Sequence, residues 1–209
     1  INPVRTGYNS IADQWVGIRP GTDGLLVLSL VHTLLKRKKI DLEYLQSFTN
    51  APFLVNISSS DTSKGLFLRD KSGNPLVVDH FSGELKSFSD KGVKPSLTKR
   101  YSDKSGSFKT VFSLLTDKYL DESYSPKIVA PQCGLKEEQI LGLAEEIAEI
   151  AFNKSIYIEQ DWVDFRGEKR SGFVGRPVSF HAMRGISAHS NGFQTCRAIH
   201  LLQIIIGSV

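Results

Sequence analysis

Three polar turns hold the side chains that could do chemistry. The first is Asn2-Pro3-Val4-Arg5-Thr6 and the second is Arg19-Pro20-Gly21-Thr22-Asp23. The third lies inside Phe180-His181-Ala182-Met183-Arg184-Gly185-Ile186-Ser187-Ala188-His189-Ser190-Asn191-Gly192. Each reads as the link from an extended stretch into a helix. The amide groups that open a helix favour an anion, and Gly185 lets the backbone come close to a ligand. Arg5 or Arg19 could face a phosphate, while Asp23 could accept from a ribose or a guanine edge. The chemistry on offer is recognition of a nucleotide, not bond-making. The ordinary alternative is structural: Thr22 and Asp23 are residues of helix-capping type, and both arginines then lie on the surface.

His181 and His189 flank the third turn. Either could bind a metal or shuttle a proton, but no Asp or Glu stands beside them at ligand spacing. His181 sits on an expected strand, where a core histidine is the plain reading, so His189 is the better functional candidate. Asp79-His80 reads as solvated. The glutamates between 137 and 149 repeat as a helix face, not as a paired acid and base. No Walker-type phosphate loop, GxSxG elbow or HExxH occurs.

The elements that must position these turns follow from apolar spacing. A helix capped by Thr22 or Asp23 runs through Leu25, Leu26, Val27, Leu28, Leu30, Val31, Leu34 and Leu35. It is apolar nearly all round and should be buried. Lys36-Arg37-Lys38-Lys39 closes it at the negative end of its dipole. Shorter helices are expected over 8–14, over 41–48, from Phe108 to about Tyr119, and from Tyr124-Ser125-Pro126 to about Pro131. The clearest amphipathic helix covers 137–152, and a final helix covers 193–206. Strands are expected at 15–18, 155–159 and 178–182, with a change of texture beginning at Phe53-Leu54-Val55 and a hairpin pairing 66–68 and 75–79 around Gly73. Residues 161–175 read as a loop. From Ser58 to Ser107 the chain is rich in Ser, Asp, Lys and Gly, and 58–107 is expected to be a surface insertion. Alternating strands and helices predict an α/β fold, a Rossmann-like parallel sheet with flanking helices and a surface hairpin or loop insertion.

Composition bounds the rest. The chain has 209 residues, 40% hydrophobic and 23% charged, which suits one domain or one with a sizeable insertion. Its 26 Lys and Arg against 22 Asp and Glu leave +4. That permits an anionic ligand, yet no dense basic stripe interleaved with aromatics points to nucleic acid. Cys133 and Cys196 stand far apart with no CxxC spacing, so neither a disulfide framework nor a metal cluster from this chain alone is expected. No apolar run reaches the length of a membrane span. The chain begins at Ile1, so targeting information is not readable.

Several stretches together resemble a known family. Ile-Asn-Pro at the start, Ala-Asp-Gln-Trp at 12–15 and Ile-Arg-Pro-Gly-Thr-Asp-Gly at 18–24, followed by an apolar helix, resemble the middle of the molybdopterin oxidoreductases of the dimethyl sulfoxide reductase family. So do Thr49-Asn50-Ala51-Pro52-Phe53-Leu54-Val55, Tyr124-Ser125-Pro126 and the third turn. The resemblance covers both ends of the chain, and the segment between 58 and 107 contributes least.

The resemblance implies a cofactor, molybdenum or tungsten held by two molybdopterin guanine dinucleotides. It implies an enzyme that moves oxygen atoms, or hydride and electrons, to or from a small substrate. It makes residues 1–209 a partial cofactor-binding domain and a fragment of a catalytic subunit, inactive by itself. Asn2, Pro3, Val4, Arg5 and Thr6 are then expected at the nucleotide, with Gly21, Thr22 and Asp23. Arg184, Gly185, Ala188 and His189 are expected along the pterin. The family commonly reads Asp-Pro-Arg where this chain has Asn2-Pro3-Val4, and Ala188 stands where some members carry an amide side chain. The metal ligand and a 4Fe-4S cluster are expected outside this chain. The expected partners are the remainder of the catalytic subunit, a small-molecule substrate and an iron-sulfur electron-transfer subunit, without nucleic acid. A periplasmic or a cytoplasmic location is open, with membrane association through partner subunits. The alternative is a free-standing α/β nucleotide-binding module without metal chemistry.

Overall fold

Helical periodicity dominates the two ends of the chain and short alternating runs fill its middle, and the structure separates along that line. The computed structural model describes residues 1–58 and 62–208, except the side chain of Tyr8. Residues 59–61, inside the expected insertion, and Val209, at the expected fragment end, lie outside the described residues. In chain order the regular elements are α1 (Asp23–Lys36), α2 (Leu42–Phe48), β1 (Leu54–Asn56), β2 (Leu76–Val78), β3 (Leu85–Ser87), β4 (Tyr101–Asp103), β5 (Gly106–Thr110), α3 (Val111–Tyr119), α4 (Pro126–Cys133), α5 (Glu137–Ala148), β6 (Ile156–Ile158), β7 (Trp162–Val163), β8 (Lys169–Arg170), β9 (Phe173–Gly175) and α6 (Gly192–Ile206). Short 3-10 turns cover Gly7–Ser10, Glu122–Tyr124 and Arg184–Ala188, and a π-turn, Glu149–Asn153, follows α5.

The chain divides into two compact units. One comprises residues 1–40, 119–156 and 176–209; the other comprises 41–118 and 157–175. The first is built on α1, which packs against α4, α5 and α6. Leu26, Leu30, Val31 and Leu34 of α1 are buried, as are Val129 and Ala130 of α4, Ile140 and Ala144 of α5, and Leu202, Ile205 and Ile206 of α6. Each such large apolar side chain contributes about 1.5–3 kcal/mol on burial. Asp23 in the first turn and Lys36 in the last complement the dipole of α1. Pro126 opens α4 at its first position, where its missing N–H costs nothing.

The expected parallel Rossmann-like sheet is absent among the described residues. The fold is α/β with small antiparallel sheets. The order β1-β5-β4 makes one sheet, with Leu54 opposite Thr110 and Tyr101 opposite Phe108, both pairings antiparallel. The pairs β2–β3 and β7–β8 are also antiparallel, and β6 pairs with β9. The physical reason is that most strands are two or three residues long and pair antiparallel, three of the pairs through short connections (β2–β3, β4–β5 and β7–β8) and β1 with β5 across the middle segment. Residues 15–18 and 178–182, which a parallel sheet would place side by side, belong to no ladder. Single hydrogen bonds hold the first of these: Asn2 N–H donates to Val16 O at 3.1 Å and Arg19 N–H to Cys133 O at 2.8 Å.

The second unit carries two small cores, Leu54, Val78 and Phe108 in one and Val77, Phe88 and Val93 in the other. Arg166 is buried there. Its Nε donates to Phe88 O at 2.8 Å, and its guanidinium lies 4.6 Å from the ring centres of both Phe88 and Phe165. Burial pushes its pKa down, while Asp164 and Glu168 oppose that. At Asp164, burial pushes the carboxyl up, but the Glu168 N–H and the Arg170 guanidinium outweigh it and hold it below the ordinary range. The expected loop over 161–175 instead holds the β7–β8 ribbon and the strand β9, which pairs with β6.

Candidate functional site

All three turns lie in the first unit. The second turn is shaped by Gly21, whose φ of 81° suits only glycine without strain, and a Cβ there would meet open space. Thr22 takes the N-cap position of α1 but gives no side-chain cap, because its Oγ1 donates backwards to Arg19 O at 2.7 Å. The capping role open to Thr22 in the sequence is thus not the one it plays. Asp23 is the first helical residue and half-buried. Arg19 is exposed.

The third turn is a 3-10 turn, Arg184–Ala188, running into α6. Arg184, Gly185, Ala188 and His189 are all exposed, and a Cβ at Gly185 would meet open space. His189 accepts at its carbonyl from Gly192 N–H at 2.9 Å. His181 is exposed, with Nε2 3.2 Å from Met183 Sδ, so it is not a core histidine. Asn191, at the N-cap of α6, also makes no side-chain cap.

What joins the second and third turns is a residue that sequence reasoning passed over. Asn191 Nδ2 donates to Gly21 O at 3.1 Å across 170 positions. Behind this bond the two helices touch: a Cβ on Gly24 would lie 2.8 Å from Thr195 Oγ1. Thr195 is buried and donates to Asn191 O at 3.2 Å, a scaffold role. The N-termini of a 14-residue and a 15-residue helix therefore stand side by side without side-chain caps. Their first N–H groups have no intrahelical acceptor. Two such ends carry together roughly +1 charge, which the Asp23 carboxylate would largely cancel. An anion held here needs a further cation, and Arg184 is an exposed candidate. The only sequence signal for Asn191 was its place before a helix.

The first turn is organised differently. Asn2 Oδ1 accepts from Val4 N–H at 3.0 Å, Asn2 O accepts from Trp15 Nε1 at 3.0 Å, and Arg5 lies 5.9 Å from the Trp15 ring. Asn2, Pro3, Val4, Arg5 and Thr6 are exposed. An open cleft of about 630 Å³ is lined by Asn2, Thr6, Gly7 and Ile11. Among the described residues no hydrogen bond joins this turn to Gly21–Asp23 or to Arg184–His189. A cavity of about 460 Å³ in the second unit is lined by Asp161, Trp162, Val163, Lys169, Arg170 and Ser171. The Arg170 guanidinium there is already committed to Asp164 and Glu168.

Metal chemistry finds no support in these side chains. Among the described residues no group of three or more His, Cys, Asp or Glu could hold a metal ion. Burial pushes the Cys133 thiol up, which makes it a poor nucleophile, and its S–H donates to Thr22 O at 3.8 Å. No helix among the described residues is long and apolar enough to cross a membrane.

The Asn191 bond gives a direct check on the joined turns. Asn191→Ala removes one exposed hydrogen bond, worth about 1 kcal/mol. Thermal melts should show a loss of a few degrees at most (about 2–5 °C). A loss several times larger would mean that Asn191 supports the core instead of the turns.

No family model matches the chain. It is 37% identical over 221 residues to a sulfite dehydrogenase subunit of Allochromatium vinosum, covering 100% of this chain and 22% of that protein. It is 24% identical over 209 residues to the formate dehydrogenase-O major subunit of Escherichia coli, covering 100% of this chain and 18% of that protein. It is 39% identical over 70 residues to the alpha subunit of perchlorate reductase of Dechloromonas aromatica, covering 32% of this chain and 7% of that protein. The chain thus spans about a fifth of the length of the first two relatives. Together these similarities assign the chain, at family level only, to the molybdopterin oxidoreductases of the dimethyl sulfoxide reductase superfamily.

Proposed function

We propose that this chain is a nucleotide-binding α/β segment whose own residues carry no metal chemistry, and that its nucleotide is the guanine dinucleotide of a molybdopterin cofactor. The observation that carries the reading is the Asn191–Gly21 bond, which sets two uncapped helix N-termini together. Backbone N–H groups at the start of α1 and of α6 suit phosphate oxygens, apart from Thr22 N–H, which donates to Arg19 O, and Gly192 N–H, which donates to His189 O. The Asp23 carboxylate is an acceptor only, so it suits a ribose hydroxyl or the N–H edge of guanine and not a phosphate. Asn2, Pro3, Val4, Arg5 and Thr6 belong to the same proposal as further nucleotide contacts. Arg184, Gly185, Ala188 and His189 belong to it on the pterin side. When bound, the cofactor supplies the two-electron chemistry, and this chain holds and orients it.

The proposal extends to a whole catalytic subunit in which 1–209 is a partial cofactor-binding domain with 58–107 as a surface insertion. That subunit would carry its metal ligand and a 4Fe-4S cluster outside this chain. It would work with an iron-sulfur partner subunit on a small substrate, in the periplasm or the cytoplasm. A second reading is a free-standing nucleotide-binding module without metal chemistry. Both readings are compatible with described residues that offer no metal ligand group; the family-level similarity favours the first.

Metal and pterin analysis of the full-length gene product separates the two. Molybdenum or tungsten with extractable pterin supports the first reading, and their absence with retained nucleotide binding supports the second. In the same product, Asp23→Ala should cut bound nucleotide at least about tenfold, the loss expected for one charge-assisted hydrogen bond. Unchanged occupancy would remove Asp23 from the site.

A further inference from the structure

The approach to the third turn is long and held at few points. After Arg176 the chain forms no ladder before Arg184–Ala188. His181, Ala182, Met183, Arg184 and Gly185 are all exposed. At the far end, Gly192 packs on Ser187 and Asn191 reaches Gly21. At the near end the fixed point is Arg176. Its Nη1 donates to Ala151 O at 3.2 Å, and its guanidinium carbon lies 4.8 Å from the centre of the Phe152 ring. Val178 N–H donates to Arg176 O at 2.7 Å, a tight turn that sends the chain away from that point.

Ala151 and Phe152 both lie in the π-turn Glu149–Asn153 that follows α5. A π-turn departs from the regular i to i−4 ladder, and helix-end carbonyls lack intrahelical donors. Ala151 O is such an acceptor, and a cation there also meets the negative end of the helix dipole. The planar guanidinium can donate to the carbonyl and stack over the ring at once, whereas a lysine ammonium can donate to the carbonyl but has no plane to stack.

We propose that Arg176 is a positioning residue. It staples the start of the 177–190 segment to the C-terminal end of α5, and so sets where Arg184, Gly185 and His189 stand relative to Gly21–Asp23. This rests on the nucleotide-binding reading only for its functional consequence; the staple itself is a statement about this fold.

Hydrogen exchange on the full-length gene product tests it. Arg176→Ala should speed exchange across 177–190 by about tenfold, the effect of losing one cation–π contact and one hydrogen bond. Peptides from α1 and α6 should keep their wild-type rates. Arg176→Lys should fall between, because the bond to Ala151 survives and the stack does not, and Phe152→Leu should match Arg176→Lys. Bound nucleotide should fall in the same order. Wild-type exchange at 177–190 in Arg176→Ala would overturn the proposal, and so would equal acceleration in α1 and α6. If Arg176→Ala does not fold, the lysine and leucine variants decide by the same pattern. If wild-type protein holds no nucleotide, the functional reading falls, while the exchange pattern still decides the staple.

Discussion

Gly192→Ala should destabilise the helical unit by roughly 2–3 kcal/mol, although the same change elsewhere in a helix stabilises. Intrinsic propensity favours alanine over glycine in a helix by up to about 1 kcal/mol. At Gly192 that gain is overruled by what a Cβ would meet. It would lie 2.3 Å from Ser187 O and 2.6 Å from Ser187 C, and both are backbone atoms. A side chain could swing aside, but this carbonyl is held in the Arg184–Ala188 turn. The junction must open instead. Opening strains the Gly192 N–H bond to His189 O and the Asn191 bond to Gly21 O, so the joined turns separate. Gly142→Ala is the control. Gly142 lies inside α5, where a Cβ would meet nothing within 4 Å, and it should stabilise by about 0.5–1 kcal/mol. Thermal melts of the two variants should therefore move in opposite directions. If Gly192→Ala melts with or above wild type, the close packing of turn on helix is wrong.

That contrast shows which parts of the molecule are readable from spacing. The long helices are: α1 runs Asp23–Lys36 and α6 Gly192–Ile206, near the expected bounds, because their apolar runs are long enough for a 3.6 period to stand out. Short runs are ambiguous. Phe108 falls at helical spacing with Val111 and Phe112, yet it belongs to β5, where Phe108 and Thr110 are buried in a two-residue alternation. The helix begins only at Val111. The parallel sheet failed for a related reason. Periodicity marks residues 15–18 and 178–182 as extended, but it cannot say which partner a strand finds, and these find none among the described residues. At the site, Gly21 and Gly185 were visible as turn glycines before helices. The Asn191–Gly21 bond and the Arg176 staple were not, since each depends on side chains meeting across distant parts of the chain.

Acid should loosen the second unit, and Asp79 is the carboxylate through which much of that effect should run. The Asp79 side chain is buried although charged. Its Oδ1 accepts from Ser82 N–H at 2.8 Å, Phe81 N–H at 3.1 Å and Ser82 Oγ at 3.1 Å. Its Oδ2 accepts from Lys94 N–H at 3.1 Å, with Lys86 Nζ at 3.8 Å. The Ser82 and Lys94 N–H groups hold its pKa far below the ordinary carboxylate value of 3.8, against the opposing effect of burial, with Ser82 Oγ and Lys86 adding to the depression. A folded-state pKa below the unfolded one means stability fully present above the unfolded value. That stability is lost as pH falls from there through the folded value. The loss should therefore begin near pH 4 and deepen toward stronger acid. Asp79→Asn tests the assignment at neutral pH. The amide can serve one set of donors through its oxygen, but its NH₂ then faces Lys94 N–H or Ser82 N–H, donor against donor. The Asn variant should melt about 5–10 °C below wild type at pH 7, the scale of losing several charge-assisted bonds at one buried group. Between pH 4 and pH 2 its melting temperature should fall less steeply than wild type. Equal slopes in that window would show that other carboxylates, such as Asp164 with its bonds to Glu168 and Arg170, carry the acid response instead.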